Sequence, residues 1–362
     1  MFKILDIYII KKYLSTFIFT MVMISMIAIC IHYFELVDRF ISANVTWKQI
    51  VFDYFLHFIP WINGLLWPLF SLLSVIFFTS RMAKNSEVIS MLSAKISYNR
   101  FLRPFMLTGT FLAILLWIGN NYVIPKSNRL KNEFEADYIR KGTKSSLNFN
   151  THFYLNKDEK IYLRTYSASD SAGNTFRLER YKEDKLVYLL KANSIKYVNE
   201  SGKWRLENYE IRTMDGLNES LVVVPEPYLD TLLAFGPNDF IRYSRQMEMM
   251  NTSDLREFLT NEQDRGLDSG KKYAIELYRR SADPFTILIL TLIGVSVASR
   301  KVRGGMGLHL ALGIILGATF VILSKFAATF STNMSLPPLL GVWIPNILFS
   351  FVALYLYRKA QK

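Results

Sequence analysis

The sequence predicts an α-helical membrane protein of six transmembrane helices, with an antiparallel β domain inserted between the third and the fourth. Three observations carry that class. The apolar residues, 51% of the 362, gather into runs of about 20, the length that crosses about 30 Å of hydrocarbon. Residues 160–224 instead alternate apolar and polar side chains and are broken by turn-forming residues. Lys and Arg collect in short loops that fall on one side of the spans, the bias that marks the cytoplasmic face.

Residues 81–104, RMAKNSEVISMLSAKISYNRFLRP, set the orientation. They lie between two apolar runs and carry Arg81, Lys84, Lys95, Arg100 and Arg103 against Glu87 alone. A short loop that basic stays cytoplasmic. On that assignment Lys3, Lys11, Lys12, Arg300, Lys301, Arg303, Arg358, Lys359 and Lys362 fall on the same side, with both termini. The formal charge of +13 therefore reports membrane topology and does not call for nucleic acid as a partner.

In chain order, residues 2–13 place Ile4, Leu5, Tyr8 and Ile9 near one side ahead of Lys11 and Lys12, the pattern of an interfacial helix entering the bilayer. The apolar stretch that follows is too long for a signal-peptide core and lacks a small-residue cleavage site. It is expected to remain as the first span, 14–34, followed by an outside loop, 36–48, that holds Asp38 and Arg39. The second span, 51–79, contains Pro60 and Pro68, which predict a kink or tilt. Of its polar residues Asp53, His57 and Asn63, the last suits a hydrogen bond to another helix.

The loop at 80–104 holds a short helix. Asn85 or Ser86 can cap it, and Glu87 lies at the positive end of its dipole. Val88, Met91, Leu92 and Ile96 fall on one face and Ser86, Ser90, Ser93 and Ser97 on another. Such a helix can lie on lipid, dock in a partner's groove, or simply link two spans.

The third span is 105–124, and 125–144 is charged and begins as helix. Strands are expected at 160–166, 175–181, 186–198, 203–214 and 219–224. Turns fall between them at 171–174, 182–184, 199–202 and 215–218. Short strands and tight turns imply an antiparallel sandwich or jelly roll, outside the cytoplasm by the topology. Asp254 and Glu257 open a polar helix with capping-box spacing. A second helix, 270–281, leads through Asp283-Pro284 to the fourth span, 285–298. After the basic stretch 299–305 comes the fifth span, 308–330, whose Gly313 and Gly317 permit close packing. An uncharged outside loop, 331–341, precedes the sixth span, 342–357. The chain thus divides into 1–124, 125–252 and 253–362.

Nothing in the sequence marks a catalyst. The nearest string to a phosphate-binding loop, Gly266 to Lys272, has the wrong spacing and no Ser or Thr for magnesium. The four histidines stand apart, and the single Cys30 excludes a disulfide framework within one chain. No cofactor is expected. Arg39, Lys126, Arg129 and Lys131 would ring the outer mouth of the bundle, where a set of cations suits a phosphate-bearing ligand or simply snorkels beside headgroups. Lys325, in the outer half of the fifth span, needs a reason to be there.

Four stretches give the chain a resemblance to a known family: ILDIYIIKKYLSTF (4–17), NSEVISMLSAKIS (85–97), SRKVRGGMG (299–307) and LPPLLGVWIPN (336–346). With a β insertion between spans three and four, it resembles the lipopolysaccharide-export permeases of the Lpt ABC transporter, the LptF/LptG (YjgP/YjgQ) family, over essentially its whole length. Pro345-Asn346 leans toward LptG. The resemblance implies a periplasmic jelly roll, a heterodimer with a sister permease in the inner membrane, and a cytoplasmic ABC ATPase dimer docked on the loop helix. In that assembly Glu87 aligns with the coupling acid, beside Val88, Met91, Leu92 and Arg81. It further implies extraction of lipopolysaccharide through a lateral gate of spans one and five and transfer through the β domain to periplasmic bridge proteins. Arg39, Lys126, Arg129 and Lys131 would then meet the lipid's anionic core, and Lys325 would line the gate. Arg39 departs from the pattern by standing alone where family members often carry several cations. The alternative is a membrane-anchored scaffold, or an ABC permease that transmits force without moving lipid.

Overall fold

Between Ile4 and Ser42 the chain has neither glycine nor proline, and it forms one unbroken helix, α1 (Ile4–Ser42). The interfacial segment and the first span, expected as separate pieces, are therefore continuous. Asp38 and Arg39, expected in a loop, sit in its last turn, where the Arg39 cation faces the negative end of the dipole. A π-helical stretch, Gln49–Phe55, runs into α2 (Leu56–Lys84), which contains both Pro60 and Pro68. Then come α3 (Glu87–Ser93), α4 (Tyr98–Ile118) and, through a further π-helical turn, α5 (Ile124–Phe134). After the strands follow α6 (Thr252–Asp264), α7 (Lys271–Ala298), α8 (Gly305–Asn333) and α9 (Pro338–Gln361).

This computed structural model describes residues 3–139, 151–154, 158–167, 170–183, 185–198, 201–216, 218–223, 228–233, 235–237, 246–264, 270–300, 305–334 and 336–361. The basic loop at 301–304 and the end of the charged stretch at 140–144 lie outside them. The chain forms two compact units: Met1–Phe134 with Met247–Leu255 and Lys271–Lys362, and Glu135–Gln246 with Arg256–Gly270.

The first unit holds six helical segments long and apolar enough to cross a membrane. α2 and α7 lie at its centre. With α1 and α4 they enclose a core built on Tyr13, Phe70, Phe78, Phe101, Phe105 and Ile287. With α8 and α9 they enclose a second, built on Leu72, Ile76, Leu290, Ile293, Phe320 and Phe349. In its most apolar stretch α7 is 61% buried, whereas α1 is 11% and α8 22%. The two most apolar helices thus turn most of their surface outward, as lipid-facing or partner-facing spans do.

Two expected boundaries move. The helix at 270–281 and the fourth span are one helix, α7, which continues through Pro284. Close by, the Ala282 carbonyl accepts from Asn346 Nδ2 (3.2 Å) and Thr286 Oγ1 (3.3 Å). The outside loop before the last span is shorter than expected, because α9 starts at Pro338, a residue suited to a first helical turn. Gly313 and Gly317 do bring α8 against α2. A Cβ on Gly317 would lie 2.9 Å from Leu69 Cδ2, and one on Gly313 would overlap Ile76.

The second unit carries an antiparallel sheet of seven strands: β1 (Thr151–Tyr154), β2 (Glu159–Ser167), β3 (Ala172–Lys182), β4 (Lys185–Val198), β5 (Lys203–Asp215), β6 (Asn218–Val223) and β7 (Tyr228–Thr231). All five expected strands are present, and β1 and β7 are additional. Strand order is consecutive from β1 to β6, a meander, and β7 pairs with the first half of β5, beyond the reach of β6. One face is apolar, built on Phe176, Leu178, Leu190, Ile195, Trp204 and Leu206. Trp204 Nε1 closes it by donating to the Phe235 carbonyl (2.8 Å). The turns at 199–202 and 215–218 contain Gly202 and Gly216 at φ 66° and 63°, a left-handed backbone that glycine adopts without strain. The turn expected at 171–174 comes earlier, since β3 already begins at Ala172.

Ion pairs decorate the other face. Arg205 grips Asp230 through Nε and Nη2, both at 2.8 Å, and Lys191 meets Glu210 at 2.9 Å. These hydrogen bonds hold both carboxyls below the usual carboxylate range. A carboxyl depressed in the folded state adds stability above its unfolded pKa, and that contribution disappears as pH falls through the folded value. The thermal midpoint of the full-length protein should therefore fall on acidification below about pH 4. Asp230→Asn with Glu210→Gln should flatten that fall, as differential scanning fluorimetry at stepped pH would reveal.

The glycine contacts make a second prediction. Gly313→Leu should cost about 1–3 kcal/mol by overpacking against Ile76. Gly307→Leu in the same helix, with nothing within 4 Å of its Cβ position, should leave the unfolding transition of the detergent-solubilised protein unchanged.

Candidate functional site

Three arrangements of polar side chains stand out in the helical unit. The first lies where α1 begins and α2 ends, here called the basic end. Arg100 of α4 donates from Nη1 and Nη2 to the two carboxylate oxygens of Asp6 (2.6 and 2.7 Å), and Asp6 Oδ2 also accepts the Lys3 N–H (2.9 Å). This fork-to-fork pair fixes the start of α1 against α4.

Beside it stands α3. Ser86 occupies its N-cap position in a left-handed conformation (φ 61°) and makes no side-chain capping bond, so the expected cap is not formed there. Asn85 Nδ2 instead donates to Glu87 Oε1, and Tyr8 donates its hydroxyl proton to Glu87 Oε2, each at 3.3 Å. The expected apolar face divides. Val88, 1% exposed, and Met91 pack into the core shared with α1, α2, α4 and α7. Leu92 points outward at 39% exposure together with Ile89 at 47%, a residue the spacing argument left out. Arg81, in the last turn of α2, is exposed.

The second arrangement lies at the opposite end. Arg280 of α7 is almost fully buried. It donates to the carbonyls of Met247 (3.1 Å) and Met250 (2.8 Å) and to Thr252 Oγ1 (3.0 Å), so it holds residues 247–252 against the bundle. Glu248 in that segment accepts from Trp61 Nε1 and Asn128 Nδ2, both at 3.3 Å. Lys131 is buried here, its Nζ 3.9 Å from the centre of the Trp61 ring, so its charge faces an aromatic ring and not an open mouth. Arg129 is exposed and pairs with Glu133 (2.9 Å). Arg39 and Lys126 are exposed. The four expected cations are thus not equivalent: three project from the surface and one is internal.

The third is a cavity of about 150 Å³ between α2, α7, α8 and α9. Lys325 and Ser324 line one wall, Asp283, Thr286 and Asn346 another. Arg279 is 3.4 Å from Asp283 and 3.7 Å from Glu276, and Asn346 Oδ1 accepts from Thr286 Oγ1 at 2.8 Å. An ionisable cluster in a membrane helix bundle is costly to desolvate and by default marks function. The sequence offered Lys325 alone; the Glu276/Arg280 and Arg279/Asp283 spacing of four was the legible sign of the rest. Among the described residues no group of three His, Cys, Asp or Glu side chains could hold a metal ion.

These features can be set beside known proteins. The chain is 19% identical to the lipopolysaccharide export system permease protein LptG of Haemophilus influenzae, over 81% of each chain. It is 20% identical to the LptG of the same description from Escherichia coli K12, over 99% of each. Both relatives are LptG proteins, in keeping with the lean that Pro345-Asn346 gave, and Asn346 is here the side chain that clamps α9 to α7. The family described as "Lipopolysaccharide export system permease LptF/LptG" matches from residue 7 to residue 359, and the chain belongs to it.

Proposed function

We propose that this chain is the force-transmitting permease subunit of a lipopolysaccharide exporter, with no catalytic centre of its own and no cofactor. A separate cytoplasmic ABC ATPase dimer hydrolyses ATP and docks on α3. The observation that carries this reading is the split of that helix. Ile89 and Leu92 are available to a partner's groove, with the half-buried Glu87 held beside them by Tyr8 and Asn85, while Val88 and Met91 root the same helix in the core of four others. A push on its outer side has one way in. Arg81, beside α3, adds a cation to the docking surface.

The basic end and both termini are cytoplasmic by the charge bias, and the β unit then lies in the periplasm. The outward apolar surfaces of α1 and α8 supply the contact with a sister permease and the two sides of a lateral gate. Lipopolysaccharide leaves the outer leaflet of the inner membrane through that gate. Its phosphates meet Arg39, Lys126 and Arg129, with Lys131 held in reserve under Trp61 and Lys325 on the inner wall. The apolar face of the sheet shields the acyl chains on the way to periplasmic bridge proteins.

The test is co-purification of the assembled complex. Ile89→Asp with Leu92→Asp should reduce ATPase retention about tenfold or more while leaving the fold intact, and Glu87→Lys should reduce it as far with α3 loosened by loss of its bonds to Tyr8 and Asn85. Retention at the wild-type level in both variants would sink the proposal. Thiol labelling of Asp170→Cys in a Cys30→Ala background should succeed from the periplasm in intact cells; labelling only after the inner membrane is breached would also end it.

A further inference from the structure

Between α1 and the last turns of α2 the basic end opens into a cleft of about 360 Å³. Its rim is polar. Lys12 and Ser15 come from α1, Arg81 and Asn85 from α2. Toward the middle of the bundle its lining is aromatic, with Phe19 about two turns beyond Lys12 on α1 and Phe77 one turn before Arg81 on α2. Phe19 and Phe77 are both exposed.

The charges in it do not cancel. Lys12 and Arg81 make no side-chain hydrogen bond or ion pair among the described residues. The acid on the lining, Glu87, has its two oxygens occupied by neutral donors, Tyr8 and Asn85. The Thr16 hydroxyl donates to the Lys12 carbonyl (2.8 Å) and is not available as a donor. Two cations against one acid leave a single positive charge in surplus, with the donors of Lys12, Arg81 and Ser15 unspent. That matches the single negative charge of a phosphodiester, which prefers charge-assisted donors. The aromatic surface below matches something more than a free anion: a molecule with phosphate at the rim and hydrocarbon at the depth of Phe19 and Phe77.

We propose that this cleft binds the phosphodiester headgroup of an anionic glycerophospholipid from the leaflet that meets the basic end. The leaflet assignment rests on the topology proposed above; the headgroup chemistry does not. Lys12 and Arg81 bind the phosphate oxygens, Ser15 adds a hydroxyl, and the acyl chains lie along Phe19 and Phe77. The site shares Arg81 with the edge of the docking surface proposed above, excludes Ile89 and Leu92, and lies at the opposite end of the bundle from Arg39 and Lys126.

The experiment is native mass spectrometry of the full-length protein in non-ionic detergent, titrated with dioleoylphosphatidylglycerol. Wild type should show a saturable adduct whose affinity falls about tenfold or more in Lys12→Ala/Arg81→Ala and persists in Lys12→Arg/Arg81→Lys. Lys11→Ala/Lys84→Ala removes the same charge outside the cleft and should change nothing. Ser15→Glu, at an exposed position, should abolish the adduct independently. In parallel arms, zwitterionic dioleoylphosphatidylcholine should bind more weakly, and millimolar inorganic phosphate should not displace the lipid. Equal binding by wild type, Lys12→Ala/Arg81→Ala and Ser15→Glu overturns the proposal. So does equal loss in Lys11→Ala/Lys84→Ala, equal binding of the zwitterionic lipid, or displacement by phosphate. Because the measurement needs neither ATPase nor export, its failure is separable from failure of the labelling and co-purification tests above.

Discussion

The hydroxyls of Tyr13, Ser71 and Thr291 meet where α1, α2 and α7 cross, at 2.6, 3.1 and 3.2 Å from one another. α4 joins them through Gly109, whose Cβ position lies 3.2 Å from Thr291 Oγ1. The bundle depends on such contacts because in hydrocarbon helices gain little by hiding apolar surface from lipid. Close approach and interhelical hydrogen bonds must do that work. Each bond is worth only about 0.6 kcal/mol on average, so the trio sets geometry more than it adds stability. Ser25 with Asn63 (2.7 Å) repeats the device between α1 and α2 further along, and Thr286 with Asn346 repeats it between α7 and α9. With α2 and α7 pinned this way, α1 and α8 are left with broad outward faces.

That constraint also explains what was legible in the sequence. Span number and the inserted β domain follow from hydropathy and turn chemistry, which are local properties of the chain. Asn63 could be assigned an interhelical bond because a lone amide in an apolar run has few other uses. The boundaries at Arg39, Pro284 and Pro338 were harder, since a helix that is supported laterally runs past the point where composition stops favouring it. Strands β1 and β7 were missed for a related reason: each is four residues long, too short for a period-two pattern to register.

The polar sites divide along the same line. Lys131 reads from sequence as one of a surface set, because neighbours in sequence carry like charge. Its burial is decided by Trp61, seventy residues earlier in the chain. Asp6 and Arg100 are further apart still, by 94 positions, and no local pattern pairs them. Glu276, Arg279, Arg280 and Asp283 are on one helix, so their spacing was visible, but not that Arg280 turns to hold residues 247–252 while Arg279 turns to the cavity of Lys325. Sequence gives the charges; only packing gives their assignments.

On the docking role proposed above, α3 is a short element that acts through the bundle. A helix of seven residues is far below the length at which helices persist alone, and this one begins from a left-handed Ser86 without a side-chain cap. Its order must come from Val88 and Met91 in the core and from the two bonds to Glu87. The donors of those bonds, Tyr8 and Asn85, belong to α1 and to the end of α2, so α3 is tied to both helices at once. A force applied at Ile89 and Leu92 therefore cannot deform α3 alone. Moving the helix either drags Val88 through the core that α1, α2, α4 and α7 share, or breaks the Glu87 bonds and lets the helix melt. Close-packed interiors resist small continuous displacement and shift between discrete arrangements, so a push there is transmitted as a rearrangement of α1 and α2 together.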